Sequence, residues 1–119
     1  MKNKILVVDD QPGIRLLLSD VFTSIGYHVT VAQTGQEALD KIFKQRFDLI
    51  LLDHGLPIIN GQEVIEQMEH KGIFVPVILM SGLIENLKRE YLQHSMFIKI
   101  VAKPFNILEM SQMVKKMLS

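Results

Sequence analysis

The chain has 119 residues, the size of one domain at the usual ~100–200 residues each, and a 48% hydrophobic fraction that supports a packed core and argues against disorder. Thirteen basic residues balance thirteen acidic ones, so no global field draws the chain to nucleic acid or to an anionic membrane. The absence of cysteine removes disulfides, thiolate metal sites and cysteine nucleophiles.

In chain order, the first apolar run, Ile5–Val8, is too short for a secretory signal, and no stretch nears the ~20 apolar residues of a membrane span. These features predict a cytoplasmic protein without membrane contact. Ile5–Val8 reads instead as a buried strand. Ile14, Leu17, Leu18, Val21, Phe22 and Ile25 then recur at the spacing of one helical stripe, and Gly26 ends it. His28–Ala32 is a second strand. A second helix opens with Thr34 and Glu37 in capping-box spacing and carries Ala38, Leu39, Ile42 and Phe43 inward. Leu49–Leu52 is a third strand, and a helix from near Gly61 buries Val64, Ile65 and Met68. Val75–Met80 follows as a strand, then a polar helix over Ile84–Gln93 with a narrow stripe of Ile84, Leu87 and Tyr91. The fifth strand is Phe97–Val101. The last helix opens with Asn106 and Glu109 and buries Ile107, Met110, Val114 and Met117. Most methionines fall on these stripes, which makes them core rather than cofactor ligands.

Strict alternation of strand and helix predicts an α/β fold, the flavodoxin-like (βα)5 doubly wound parallel sheet with strand order 2-1-3-4-5. Ligands in such folds bind beyond the carboxyl ends of the strands. Asp9 and Asp10 follow strand 1, Asp53 strand 3, Ser81 and Gly82 strand 4, and Lys103 with Pro104 strand 5. Singly, the aspartates read equally as turn residues, Ser81 as a helix cap and Lys103 as a solvated charge. Together they converge on one rim.

Three carboxylates held close repel, so one stays protonated unless a cation neutralises the group. Oxygen ligands without histidine or cysteine select a hard ion, Mg²⁺ or Mn²⁺. One carboxylate can then act as a nucleophile and form an acyl phosphate, while metal, ammonium and hydroxyl offset the charge on its oxygens. Asp10, Asp53, Lys103 and Ser81 supply those roles.

The segments Lys4-Ile5-Leu6-Val7-Val8-Asp9-Asp10 and Asp48-Leu49-Ile50-Leu51-Leu52-Asp53, with Leu56-Pro57, Gly61, Ser81-Gly82 and Lys103-Pro104-Phe105, resemble the signature of response-regulator receiver domains of two-component signalling. The resemblance covers residues 1–119. The opening Asp9-Asp10-Gln11-Pro12-Gly13-Ile14-Arg15 is most similar to the stand-alone regulators of the sporulation phosphorelay. The resemblance implies that Asp53 accepts a phosphoryl group from a sensor histidine kinase or a histidine phosphotransfer protein. It further implies that Asp10 and Asp53 bind Mg²⁺ directly, that Asp9 acts largely through water, and that the Gly55 carbonyl completes the protein ligands. Ser81 would turn toward the phosphoryl group, Lys103 would pair with it, and the Lys103–Pro104 bond would be cis. Gln11, Gly13, Ile14 and Leu17 or Leu18 would form a docking face, although the leucines also read as core. Such a domain is a phosphoacceptor and not an enzyme beyond its own phosphorylation and dephosphorylation.

Departures from the family pattern are Ser81 in place of threonine, Ile100 where an aromatic or histidine is usual, and Ser95-Met96 where Gly-Ala is usual. His54 follows the acceptor, either tuning the acyl phosphate's lifetime or, as the expected reading, standing exposed as a bystander. His28, His70 and His94 are expected at the surface. The end at Ser119, just after the last helix, favours a stand-alone regulator that passes phosphate onward or binds a downstream protein target directly. The alternatives are a receiver cut from a larger transcription factor or hybrid kinase, and a pseudo-receiver, against which the intact acid pocket argues.

Overall fold

Continuously apolar strands form a sheet buried on both faces, because water must be kept from each side of every residue. A computed structural model of the chain describes residues 2–82, 91, 94 and 96–119. Among these, β1 (Lys4–Val8), β2 (His28–Ala32), β3 (Leu49–Asp53), β4 (Val77–Ser81) and β5 (Ile98–Ala102) pair in parallel in the order β2-β1-β3-β4-β5. The expected doubly wound sheet is therefore present, with β2 and β5 at its edges. Val8 lies opposite Leu52, and Ser81 opposite Ala102, so the residues that follow these strands emerge at one rim.

The helices are α1 (Pro12–Ile25), α2 (Gly35–Lys44), α3 (Gly61–His70) and α4 (Ile107–Leu118). Their ends follow the capping residues. Gly26, at a left-handed φ of 117°, closes α1. The Thr34 side chain accepts from the Glu37 N–H at 3.0 Å, and Asn106 from the Glu109 N–H at 3.0 Å. Asn60 and Glu63 form a reciprocal capping box on α3 that the sequence reading did not single out. The helix expected over Ile84–Gln93 lies outside the described residues except for Tyr91, and so does Ser95. No helix among the described residues is long and apolar enough to cross a membrane.

The period-2 alternation of the strands divides the core into two layers. Leu6, Val8, Ile50, Leu52 and Leu79 face α2 and α3, with Tyr91 and Met96 in the same cluster. Ile5, Val7, Leu49, Leu51, Ile78 and Met80 face Leu18 and Phe22 of α1 and Met110 and Val114 of α4. Two expectations need correction. Phe43 is not carried inward; it is 42% exposed at the last turn of α2, with the Lys71 ammonium 5.9 Å from its ring centre. β4 begins at Val77 rather than Val75, because Pro76 has no N–H to give the ladder, which opens with Val77 donating to the Phe97 carbonyl at 2.9 Å.

The loop from β3 into α3 is pressed against the start of α2. A Cβ on Gly35 would lie 2.5 Å from the Ile59 carbonyl oxygen, whereas a Cβ on Gly13 in α1 would meet nothing within 4 Å. Gly35→Ala is expected to lower stability by about 1–3 kcal/mol, since backbone must move to admit the methyl group. Gly13→Ala should instead raise it by about 0.5–1 kcal/mol, the ordinary helical gain. Urea unfolding midpoints of the two variants would separate these outcomes.

Candidate functional site

Asp9 and Asp53 are the residues just past the Val8–Leu52 pairing and at the end of β3, so the parallel register places two carboxylates side by side. Both are buried, and Asp10 beside them is exposed. Each of the three offers a carboxylate oxygen, and these oxygens all lie within 4.8 Å of one another.

The neighbouring cation comes from the far side of the site. Ser81 accepts the Lys103 N–H at its carbonyl, 2.8 Å away, which ties the turn after β5 to the end of β4. The Lys103–Pro104 bond is cis. From there the Lys103 ammonium donates to Asp9 Oδ2 at 2.7 Å and to Gln11 Oε1 at 3.3 Å, and stands 3.5 Å from Asp53 Oδ2. The remaining oxygens are held by backbone. Asp9 Oδ1 accepts from the Gln11 N–H at 2.9 Å, and Asp53 Oδ1 from the Gly55 N–H at 3.1 Å. Arg15 donates to the Asp9 carbonyl at 2.7 Å. Gln11 was expected only on the docking face, and its bonds to Asp9 and Lys103, like that of Arg15 to the Asp9 carbonyl, were not read from sequence; Asp9-Asp10-Gln11 had the composition of an aspartate turn, which was the available signal.

Asp9, Asp10, Asp53, Ser81 and Lys103 thus lie at one rim, where the strand ends were expected to bring them, and Gly55 joins them through its N–H bond to Asp53. Burial pushes the Asp53 carboxyl above its ordinary value of 3.8; the Gly55 N–H opposes this, Asp9 adds to it, and Lys103 opposes it. Three carboxylates against one ammonium leave two negative charges when all are ionised, which a divalent cation would offset. The donors are oxygens only, and one of the three is exposed to solvent, so the set fits a hard cation that retains water.

Two histidine expectations are corrected. His54 is not an exposed bystander: it is half-buried, and its Nδ1 lies 2.7 Å from the Tyr91 hydroxyl. His94 is not a surface residue: its side chain is 8% exposed, and Nδ1 lies 2.5 Å from Glu69 Oε1. His28 and His70 are exposed, as expected.

The acid cluster, the lysine across from it and the doubly wound sheet define one class, and the chain belongs to it: the response regulator receiver domain family, whose model matches residues 5–115. Its relatives include the sporulation initiation phosphotransferase F of Bacillus subtilis, 40% identical over 99% of this chain and 95% of that protein. The alkaline phosphatase synthesis transcriptional regulatory protein PhoP of Bacillus subtilis is 34% identical over 99% of this chain and 49% of its own length. Among solved structures, the response regulator TrrA of Thermotoga maritima, in complex with Mg²⁺-BeF, superimposes with a TM-score of 0.83 at 36% identity, covering 98% of this chain and 99% of that one. The protein is a receiver domain of two-component response regulators.

The raised Asp53 value has a consequence for stability. Protonated Asp53 favours the fold, and that contribution is complete below 3.8 and lost as pH rises through the higher folded-state value. Asp53→Asn, which cannot ionise, is therefore expected to be more stable than the parent chain at neutral pH in a chelator. The gap should close as pH falls below the ordinary carboxylate range, and Mg²⁺ at neutral pH should narrow it by stabilising the parent alone. Urea midpoints across pH would check both.

Proposed function

We propose that Asp53 accepts a phosphoryl group from a phosphohistidine on a sensor histidine kinase or a histidine phosphotransfer protein. The observation that carries this reading is the buried Asp53 carboxylate with Asp9 and Asp10 within 4.8 Å and the Lys103 ammonium 3.5 Å away. A carboxylate oxygen of Asp53 attacks phosphorus; the new P–O bond forms as the P–N bond to the donor imidazole breaks, and the imidazole keeps the electron pair and takes up a proton. The group is lost by hydrolysis, in which water attacks phosphorus, the bond to the Asp53 oxygen breaks, and inorganic phosphate and the free carboxylate are left.

Asp10 and Asp53 would hold Mg²⁺ or Mn²⁺ directly, with Asp9 acting through water and the Gly55 carbonyl as a further ligand. That ion supplies charge neutralisation on the phosphoryl oxygens when bound. Lys103 exchanges part of its bond to Asp9 for a phosphoryl oxygen, since it already spans the distance between Asp9 and Asp53. The Gly55 N–H fixes one Asp53 oxygen and leaves the other toward the site. Ser81, buried at the tip of β4, donates its hydroxyl to the phosphoryl group. Movement of Ser81 and Lys103 toward the new charge shifts the face carrying β5 and α4, which would engage a downstream target. Apart from this self-directed chemistry the domain is no enzyme.

We assign residues 1–119 to one receiver unit acting in the cytoplasm, with the start of α1 as the docking face. Ile14 and the exposed Leu17 border the cleft that Gln11, Lys103, Pro104 and Phe105 also line, beside the acceptor. Membership in a longer regulator is the second reading, favoured by the chain's spanning half of the PhoP relative.

Acetyl phosphate with Mg²⁺ should add one phosphoryl mass to the intact protein, measured by mass spectrometry. Asp53→Asn should abolish the addition, and Lys103→Met should reduce it by at least an order of magnitude, the scale seen when one preorganised charge is removed from a site. Labelling that persists in Asp53→Asn would assign the acceptor elsewhere.

A further inference from the structure

The residue after the acceptor is built into a closed circuit. His54 continues the Ile50–Leu52 side of β3, so its ring leaves on the face opposite Asp53 and enters the layer that holds Tyr91. Its Nδ1 lies 2.7 Å from the Tyr91 hydroxyl, with the two rings edge to face at 5.7 Å. Tyr91 in turn packs on the His94 ring at 5.7 Å, and His94 is bound to Glu69 of α3. The same helix returns to the start: the Gly61 N–H donates to the His54 carbonyl at 3.1 Å, and a Cβ on Gly61 would lie 3.0 Å from the His54 Cα. Both the ring and the carbonyl of His54 are therefore fixed to the same assembly, one residue from the Asp53 carboxylate.

This arrangement can act on Asp53 only through the backbone. His54 donates its N–H to the Met80 carbonyl at 2.9 Å, and the Gly55 N–H that holds Asp53 Oδ1 is the next peptide along. Loss of the Tyr91 bond would free the ring end of His54 and leave only its backbone hydrogen bonds to hold the Cα, so the peptide that carries the Gly55 donor could shift relative to the carboxylate. Buried Tyr91 and His94 place the other end of the linkage in the core, where a small displacement cannot be absorbed by solvent.

We propose that His54 and Tyr91 are a positioning pair for Asp53, with His94 and Glu69 as their anchor, so that occupation of the acceptor site and the His54–Tyr91 hydrogen bond are energetically coupled. The coupling is reciprocal: a bond that responds to a ligand at Asp53 must also change the affinity for that ligand when it is removed. The inference rests on the phosphoacceptor reading of Asp53. It does not require His54 to change its protonation state.

The test uses the whole chain with Mg²⁺ and beryllofluoride as the probe, and with acetyl phosphate for the lifetime of the acyl phosphate. Tyr91→Phe keeps the buried ring and removes the hydroxyl; His54→Leu keeps the bulk and removes the nitrogen. Each should weaken beryllofluoride binding by roughly threefold to tenfold, the range of one hydrogen bond. The double variant should be no weaker than the weaker single variant, since both remove one bond. His54→Asn, whose amide places a polar atom where Nδ1 stands, should recover most of the affinity, which a loss of packing alone would not explain. In the parent chain, the His54 ring nitrogen resonances should move on addition of beryllofluoride. Normal binding with unchanged single variants, or additive losses in the double variant, overturns the inference alone. A parent chain that takes neither beryllofluoride nor phosphoryl group overturns the phosphoacceptor reading and the coupling with it.

Discussion

Two buried carboxylates share one ammonium in this domain, and the parallel pairing of β1 with β3 is what forces them together. Val8 opposite Leu52 sets Asp9 beside Asp53, and Lys103 reaches them from the turn after β5 at 2.7 Å and 3.5 Å. Folding thus delivers like charges to a place from which water is largely removed, where their repulsion is strongest. One lysine does not balance three aspartates. The pressure is visible in Asp53, whose carboxyl is raised by burial. That surplus of negative charge is what the proposed divalent cation would offset.

The rest of the fold serves to hold that rim against its own repulsion. Backbone N–H groups of Gln11 and Gly55 take one oxygen each of Asp9 and Asp53, so both carboxylates are aimed before any ligand arrives. The loop beyond Asp53 is trapped from two sides, by Gly35 of α2 against Ile59 and by Gly61 of α3 against His54. A side chain at Gly35 would collide with the Ile59 carbonyl and one at Gly61 would crowd the His54 backbone, so the glycines are where helices come close enough to fix the loop. Stability and positioning are here the same contacts. The Asp53 carboxylate is held in place because its neighbours in the sheet, Val8 of β1 and Met80 of β4, are fully buried.

Much of this was legible in the residues. Unbroken apolar runs such as Leu49–Leu52 specify buried parallel strands, and the aspartates, Ser81 and Lys103 at their ends mark the rim. Caps at Thr34, Asn106 and Gly26 were also readable, because they depend on neighbours a few residues away. What escaped was set by distant contacts. Phe43 continues the inward spacing of α2 yet lies at its last turn, where the core has ended and Lys71 covers its ring. Pro76 delayed β4 because the ladder needs an N–H that the apolar pattern does not record. His54 and His94 carry no local signal of burial; their partners, Tyr91 and Glu69, are 37 and 25 residues away in sequence. Polar residues are placed by such pairings and not by periodicity.

The central claim is that the three aspartates form one cation site, and paramagnetic Mn²⁺ tests it most directly. Titrated in substoichiometric amounts into the isotopically labelled chain, Mn²⁺ should first broaden the amide resonances of Asp10, Asp53 and Gly55, and leave Phe43 and Phe74 at the opposite end of the sheet sharp. Broadening spread without preference over exposed acids such as Asp20, Asp40 and Glu66 would contradict the account.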